Sequence, residues 1–164
     1  MSTLSDEIIE RSNGAATIRD AKDANGFDFV SMIADGRLPT PAIARTLGFT
    51  LDSVGNGEAV IVYEPGESHY NPMGTVHGGL PATLIDSAAG AAIYTQLPPG
   101  YSFSTVSLTC EYFRAITAKT GPVRCVGQVV KRGRRISIAD ATVTDRNGIV
   151  YVRGTATCLA HPLR

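Results

Sequence analysis

Apolar positions divide the chain into a polar start, two strand-like runs, one long apolar run and four further strand-like runs. Residues 1–25 are polar and carry no sustained apolar period, so they read as a loosely ordered arm with a short helix around Leu4–Arg11. A short helical piece follows over Phe27–Ala34 and is broken by the stretch Gly36–Pro41. Leu47–Val54 and Glu58–Glu64 read as strands, and Gly55-Asn56-Gly57 between them holds the Asn-Gly pair favoured in hairpin turns. Pro65–Gly74 is a loop. From Gly79 to Leu97 the run LPATLIDSAAGAAIYTQL is apolar nearly all round, which predicts a helix buried on most faces. Phe103–Arg114, Val123–Lys131, Ile136–Thr144 and Val150–Leu159 are strand-like, with breaks at Thr120-Gly121-Pro122, Arg132-Gly133-Arg134 and Asp145-Arg146-Asn147-Gly148. Two strands, one helix and four strands in hairpin succession predict an α+β fold, with an antiparallel sheet curved around one long central helix. The organisation expected is a polar arm over 1–30 and one domain over 31–164.

Composition narrows the class. At 164 residues with 43% apolar content, the chain suffices for one domain with a true core. Three cysteines, Cys110, Cys125 and Cys158, form an odd set without metal-ligand spacing, so neither a disulfide framework nor a zinc module is expected. The opening MSTLSDEIIERSN has early acidic charge and no apolar stretch, unlike a signal peptide. The helical run is too short for a membrane span and contains Pro81 and Asp86. These features predict a reduced cytoplasmic protein that binds no membrane.

Fifteen basic and fifteen acidic residues balance, which gives no general grip on nucleic acid. The balance hides an asymmetry: residues 1–100 hold 12 acids and 5 bases, net −7, and residues 101–164 hold 3 acids and 10 bases, net +7. The two halves either attract each other or leave the basic half to receive an anionic small molecule.

Candidate chemistry centres on the helix. Asp86 is the one carboxylate in an apolar run, with no Lys or Arg three or four positions away, and an unpartnered buried carboxylate is costly. Upstream, Asn71-Pro72-Met73-Gly74-Thr75-Val76-His77-Gly78-Gly79 is a glycine-rich entry into the helix, where bare Gly78 and Gly79 N–H groups suit an oxyanion. Gly78 and Asp86 lie eight residues apart, about 12 Å along a helix axis. A base and an oxyanion donor must both come within about 3 Å of one reacting centre. One helix cannot achieve this, whereas two antiparallel copies can, so joint catalysis by these groups requires at least a dimer with sites at its interface.

The string Asn71-x-x-Gly74-x-x-His77-Gly78-Gly79, followed by Asp86, resembles the hotdog-fold acyl-CoA thioesterases of the phenylacetate-degradation and 4-hydroxybenzoyl-CoA types, over about residues 40–160. The resemblance implies hydrolysis of an acyl-CoA to a carboxylic acid and coenzyme A, with no metal or organic cofactor. It implies Asp86 as general base or nucleophile, the Gly78 N–H as the polarising donor, Asn71 as its helper, and His77 as a residue that orients the loop or holds the substrate oxygen. It further implies a Ser or Thr that positions water, for which the segment Glu111-Tyr112-Phe113 selects Thr105 over Ser104 and Ser107. Gly79 joins the substrate-binding set. The basic connection Lys131-Arg132-Gly133-Arg134-Arg135 would lie near the nucleotide end of coenzyme A, with Arg134 and Arg135 as candidate phosphate ligands. The same turn could equally be a solvated guard of a sheet edge. Similar proteins form homotetramers as dimers of dimers.

His69 and Tyr70, in the loop before Asn71, either line an acyl pocket or lie at a surface or interface, with the latter favoured, and Cys110 is expected as a small buried hydrophobe rather than a nucleophile. No Gly-x-Ser-x-Gly elbow is present. Three other classes compete. A non-catalytic acyl-CoA sensor would have no need of Asp86, and a hotdog hydratase or dehydratase pairs a His with an acid in a different motif and releases no thiol. A scaffold subunit would tolerate the loss of Asp86.

Overall fold

A computed structural model describes residues 23–163. The elements are helix α1 (Gly26–Ala34), helix α2 (Ala42–Leu47), strands β1 (Phe49–Gly55) and β2 (Glu58–Tyr63), helix α3 (Gly79–Tyr94), and strands β3 (Tyr101–Tyr112), β4 (Val123–Lys131), β5 (Ile136–Asp145) and β6 (Val150–Pro162). Short 3-10 turns occupy Glu67–His69 and Ala118–Thr120. The helix expected around Leu4–Arg11 lies outside the described residues. Among the described residues no helix is long and apolar enough to cross a membrane.

The strands form one antiparallel sheet in the order β1-β2-β4-β5-β6-β3. This corrects the expectation of four strands in hairpin succession. After α3 crosses the sheet, β3 pairs with β6 at the far edge, while β4 returns to pair with β2. Hairpins join only β4 to β5 and β5 to β6 within that group.

The sheet carries α3 close against one face because the residues beneath the helix are small. One cross-strand row runs Ala59–Gly127–Ala141–Gly154–Cys110. A Cβ on Gly127 would stand 2.4 Å from the Ala88 carbonyl carbon and oxygen, and one on Gly154 would stand 2.7 Å from the Ile85 side chain. Backbone thus meets backbone where α3 crosses the centre of the sheet. Leu84, Ile85, Ala88 and Ala89 are fully buried there with Val123, Cys125, Val143 and Val152.

The first strands differ from expectation at one point. Leu47 ends the short helix α2 instead of opening a strand, and Gly48, in the left-handed conformation at φ 71°, stops that helix so β1 can begin at Phe49. The β1–β2 turn is the expected Asn-Gly hairpin: Gly55 pairs with Glu58 across Asn56 and Gly57, and Gly57 has φ 79°. The expected domain boundary at residues 30/31 falls inside α1. That helix is docked by buried Phe29, Val30 and Met32, and the Phe29 ring meets Tyr94 edge-on at 5.9 Å. Gly26 donates to the Leu97 carbonyl at 3.0 Å, so packing reaches back to Ala24.

Candidate active site

The loop before α3 is tied at every turn. Asn71 donates its backbone N–H to the Thr75 carbonyl (2.8 Å), and Gly74, at φ 79°, donates back to the Asn71 carbonyl (3.0 Å). The Asn71 Oδ1 accepts from the Met73 N–H (3.0 Å) and the Thr75 N–H (3.3 Å), while its Nδ2 donates to the Thr75 hydroxyl (3.0 Å). Further anchors are Val76 N–H to the Ile116 carbonyl and His77 N–H to the His69 carbonyl. His69 itself is pinned, since its Nδ1 lies 2.9 Å from the hydroxyl of buried Tyr63.

Where the loop becomes helix, the expected pair of bare N–H groups reduces to one. The Gly79 N–H donates to His77 Nδ1 at 3.0 Å, so it is occupied. This corrects the expectation that Gly78 and Gly79 offer donors together. The cause is local: His77 caps the first turn with its own ring, which places the neutral imidazole proton on Nε2. Among the described residues the Gly78 N–H has no acceptor. Asn71, Gly78, Pro81 and Tyr112 line one cavity of about 300 Å³ with Arg114 and Ile116.

Asp86 lies further along α3, half-buried, and does not line that cavity. Its carboxylate Oδ1 accepts from the Thr105 hydroxyl at 2.8 Å. The other two candidate hydroxyls go elsewhere: Ser104 bonds to His161 Nε2 (3.1 Å), and Ser107 pairs with Thr157 on the opposite face of β6. A β-bulge at Val106 separates these residues. The extra residue resets the alternation, so that Thr105 faces α3 beside buried Cys158 while Ser107 faces away.

Cys110 and Cys158 are close to this carboxylate. Burial pushes both thiols above the ordinary range and the Asp86 charge adds to the effect, so both stay protonated at neutral pH and are not thiolate nucleophiles. Arg134 and Arg135 are exposed in the β4–β5 connection, and the Arg135 carbonyl accepts from the Ala160 N–H. Their neighbour Arg132 lines a cavity with Gln96 and Leu97, at the C-terminal end of α3. The helix spans 16 residues, roughly 24 Å, so within one chain this hairpin is at the opposite end from Gly78.

The structure therefore brings Asp86 to Thr105, and Asn71 and His77 to Gly78, but keeps the two groups about 12 Å apart along α3. Tyr112 was missed by the sequence reading. Its hydroxyl donates to the Gly78 carbonyl at 2.8 Å. The available signal was a tyrosine at the end of a strand, whose hydroxyl is free to reach a neighbouring backbone carbonyl.

Comparison with known proteins bears on the chemistry. Residues 73–152 match the family described as the thioesterase superfamily. Human acyl-coenzyme A thioesterase 13 is 31% identical over 118 residues, which cover 69% of this chain and 81% of that protein. A Halobacterium salinarum protein provisionally named as an esterase is 30% identical over 102 residues, covering 59% of this chain and 66% of its own length. The crystal structure of a phenylacetic acid degradation-related protein from Ralstonia eutropha JMP134 superposes with a TM-score of 0.72 at 28% identity, over 80% of this chain and 98% of that one.

Proposed function

Since this chain belongs to the thioesterase superfamily, with a hotdog fold and the activity of a thioester hydrolase, we propose that it hydrolyses acyl-CoA thioesters in composite sites at the interface of a homodimer. The observation that carries this reading is the pair of half-sites on one helix. One holds a Gly78 N–H with no acceptor among the described residues, beside Asn71, the other a carboxylate bound to a hydroxyl, and they lie too far apart to share a substrate within one chain.

In an antiparallel pair of α3 helices, Gly78 of one chain faces Asp86 of the other. The thioester carbonyl rests on the Gly78 N–H, helped by the Asn71 amide, whose charge-stabilising role is strongest as the tetrahedral oxyanion forms. A water gives one hydrogen bond to Asp86 and the other to the Thr105 oxygen, which is oriented because its own proton already points to Asp86; as the water oxygen attacks the carbonyl, one proton passes to the carboxylate. The carboxylate then acts as general base. Direct attack to form an anhydride uses the same atoms. Collapse of the intermediate expels the coenzyme A thiolate, which needs little help as a leaving group.

The β3 edge supports the pairing. Among the described residues no strand pairs with its outer side, which is 12 residues long with Val106, Leu108 and Tyr112 exposed, a surface suited to a second copy of the same strand. The antiparallel arrangement also gives the basic hairpin a place. The C-terminal end of the partner helix would extend about 12 Å beyond its Asp86, on the outer side of Gly78. There Arg134 and Arg135 could meet the phosphates of a coenzyme A whose thioester lies between the helices. A homotetramer built from two such dimers, and a cytoplasmic setting consistent with three free thiols, complete the proposal.

The test is subunit complementation with thiol release from phenylacetyl-, benzoyl-, hexanoyl- and lauroyl-CoA as the readout. Asp86→Asn removes the base, and Gly78→Pro removes the N–H at a φ of −57°, which proline accepts. Each variant alone should be inactive. Mixed and allowed to exchange, half the dimers are heterodimers with one intact site of two, so about a quarter of wild-type activity should return. No recovery despite proven exchange would place both groups within one chain's site, and no turnover by the wild type would leave a non-catalytic acyl-CoA binder.

Thr105→Val keeps the shape and removes the hydroxyl. We expect kcat to fall roughly tenfold to a hundredfold with the unfolding midpoint little changed, measured by thiol release and circular dichroism. A variant with wild-type kcat would remove Thr105 from the mechanism.

A further inference from the structure

We propose that Tyr112 is a positioning residue for thioester hydrolysis, acting through the Gly78 carbonyl to hold the N–H of that glycine on the substrate oxygen. The inference rests on the proposed role of Gly78 and extends it to a residue on a different element.

Two consecutive peptide units meet at Gly78. In the first, the His77 carbonyl accepts from the Leu80 N–H at 2.9 Å, and its other end is the free Gly78 N–H. In the second, the Gly79 N–H donates to His77 Nδ1 at 3.0 Å. The remaining polar group of that unit, the Gly78 carbonyl, accepts from the Tyr112 hydroxyl at 2.8 Å and from the Ala82 N–H at a longer 3.3 Å.

Three of the four polar groups are therefore fixed and one is left to face the cavity. Without Tyr112, the second unit would keep only the long helical bond and the His77 contact. Glycine has no side chain to resist rotation, so the aim of its N–H depends on such external ties. The Tyr112 ring reinforces the bond. A Cβ on Gly78 would meet two ring carbons at 3.5 and 3.6 Å and the hydroxyl oxygen at 3.7 Å, so the phenol lies at van der Waals distance from the space beside that residue. Tyr112 is also the last residue of β3, and Phe113 directly after it is anchored by its N–H to the Tyr151 carbonyl. The phenol is thus carried on the sheet, not on the loop it restrains. Burial pushes the Tyr112 phenol above its ordinary range, so the proton needed for donation is retained through the working range.

Tyr112→Phe removes the hydroxyl and leaves the ring. The expected result is a kcat about tenfold lower with KM little changed and the unfolding midpoint nearly unaltered. The second readout is the infrared carbonyl stretch of a bound ketone analogue of the acyl-CoA, in which a methylene replaces the thioester sulfur. On the wild type the stretch should fall below its solution value, and on Tyr112→Phe part of that shift should be lost. If the wild type shows no shift, the Gly78 reading fails. If the wild type shows the shift and the variant keeps it in full, or loses affinity in KM while keeping kcat, the assignment of Tyr112 is overturned and the Gly78 reading stands.

Discussion

Asp86→Asn is expected to lower kcat/KM for acyl-CoA hydrolysis by at least about a hundredfold, the scale for losing a general base or a nucleophile. The amide can still accept the Thr105 hydroxyl bond seen at 2.8 Å, so the fold and the packing of α3 should persist. Thiol release measured beside thermal unfolding separates the two effects. A midpoint near that of the wild type with activity at or below a hundredth of it assigns the loss to chemistry. Activity within a few fold of wild type would remove the carboxylate from the reaction. Single turnover of the wild type in oxygen-18 water extends the result. Label found in the Asp86 side chain marks an anhydride intermediate opened at the Asp86 carbonyl, whereas label confined to the product acid excludes only that route and is shared by general-base delivery of water and by an anhydride opened at the acyl carbonyl.

The largest stability effect is expected at Gly127. Its inner face lies against the α3 backbone, and a Cβ there would stand 2.4 Å from the Ala88 carbonyl carbon and oxygen and 2.8 Å from the Ala89 nitrogen. These are main-chain atoms with no rotamer to change, so relief requires the helix to lift from the sheet. Alanine at this position should cost about 3 kcal/mol or more, the upper part of the range for overpacking. For a chain of this length that corresponds to a midpoint lower by roughly 10 °C. Circular dichroism melts measure it directly, and a fall of only a degree or two would show that the helix and sheet are less tightly joined than the geometry requires. Activity should decline as well, because lifting α3 moves both Gly78 and Asp86.

The parts of this molecule that sequence made legible are those set by local chemistry. The apolar run over α3, the Asn-Gly turn between β1 and β2, and β4 with its bounds at Val123 and Lys131 all follow from patterns within a few residues. Helix α2 was hidden because its six residues are too few to display a period, and only Pro41 and Gly48 mark its ends. The strand order was hidden for another reason. Hairpin signals report the nearest partner, but β3 pairs across a long separation in sequence with β6.

In the candidate site, the spacing of Gly78 and Asp86 along one helix was enough to require two chains for joint action, because axial rise is a fixed quantity. Selecting Thr105 from three neighbouring hydroxyls was beyond alternation alone. The bulge at Val106 changes which residues face inward, and that register is a property of the β3–β6 pair. The occupied Gly79 N–H and the Tyr112 contact are tertiary or turn-specific hydrogen bonds, which residue type permits without dictating.

The open edge of β3 has a consequence for how activity tracks gene dosage. If each working site needs residues from two chains, a lone chain is inert, and the quantity that matters is the concentration of pairs. Below the dimer dissociation constant that concentration rises as the square of the amount of protein, so halving expression would remove about three quarters of the turnover. Above it, the response becomes proportional. The edge of one strand would thus give the enzyme a threshold in abundance, with no effector molecule involved.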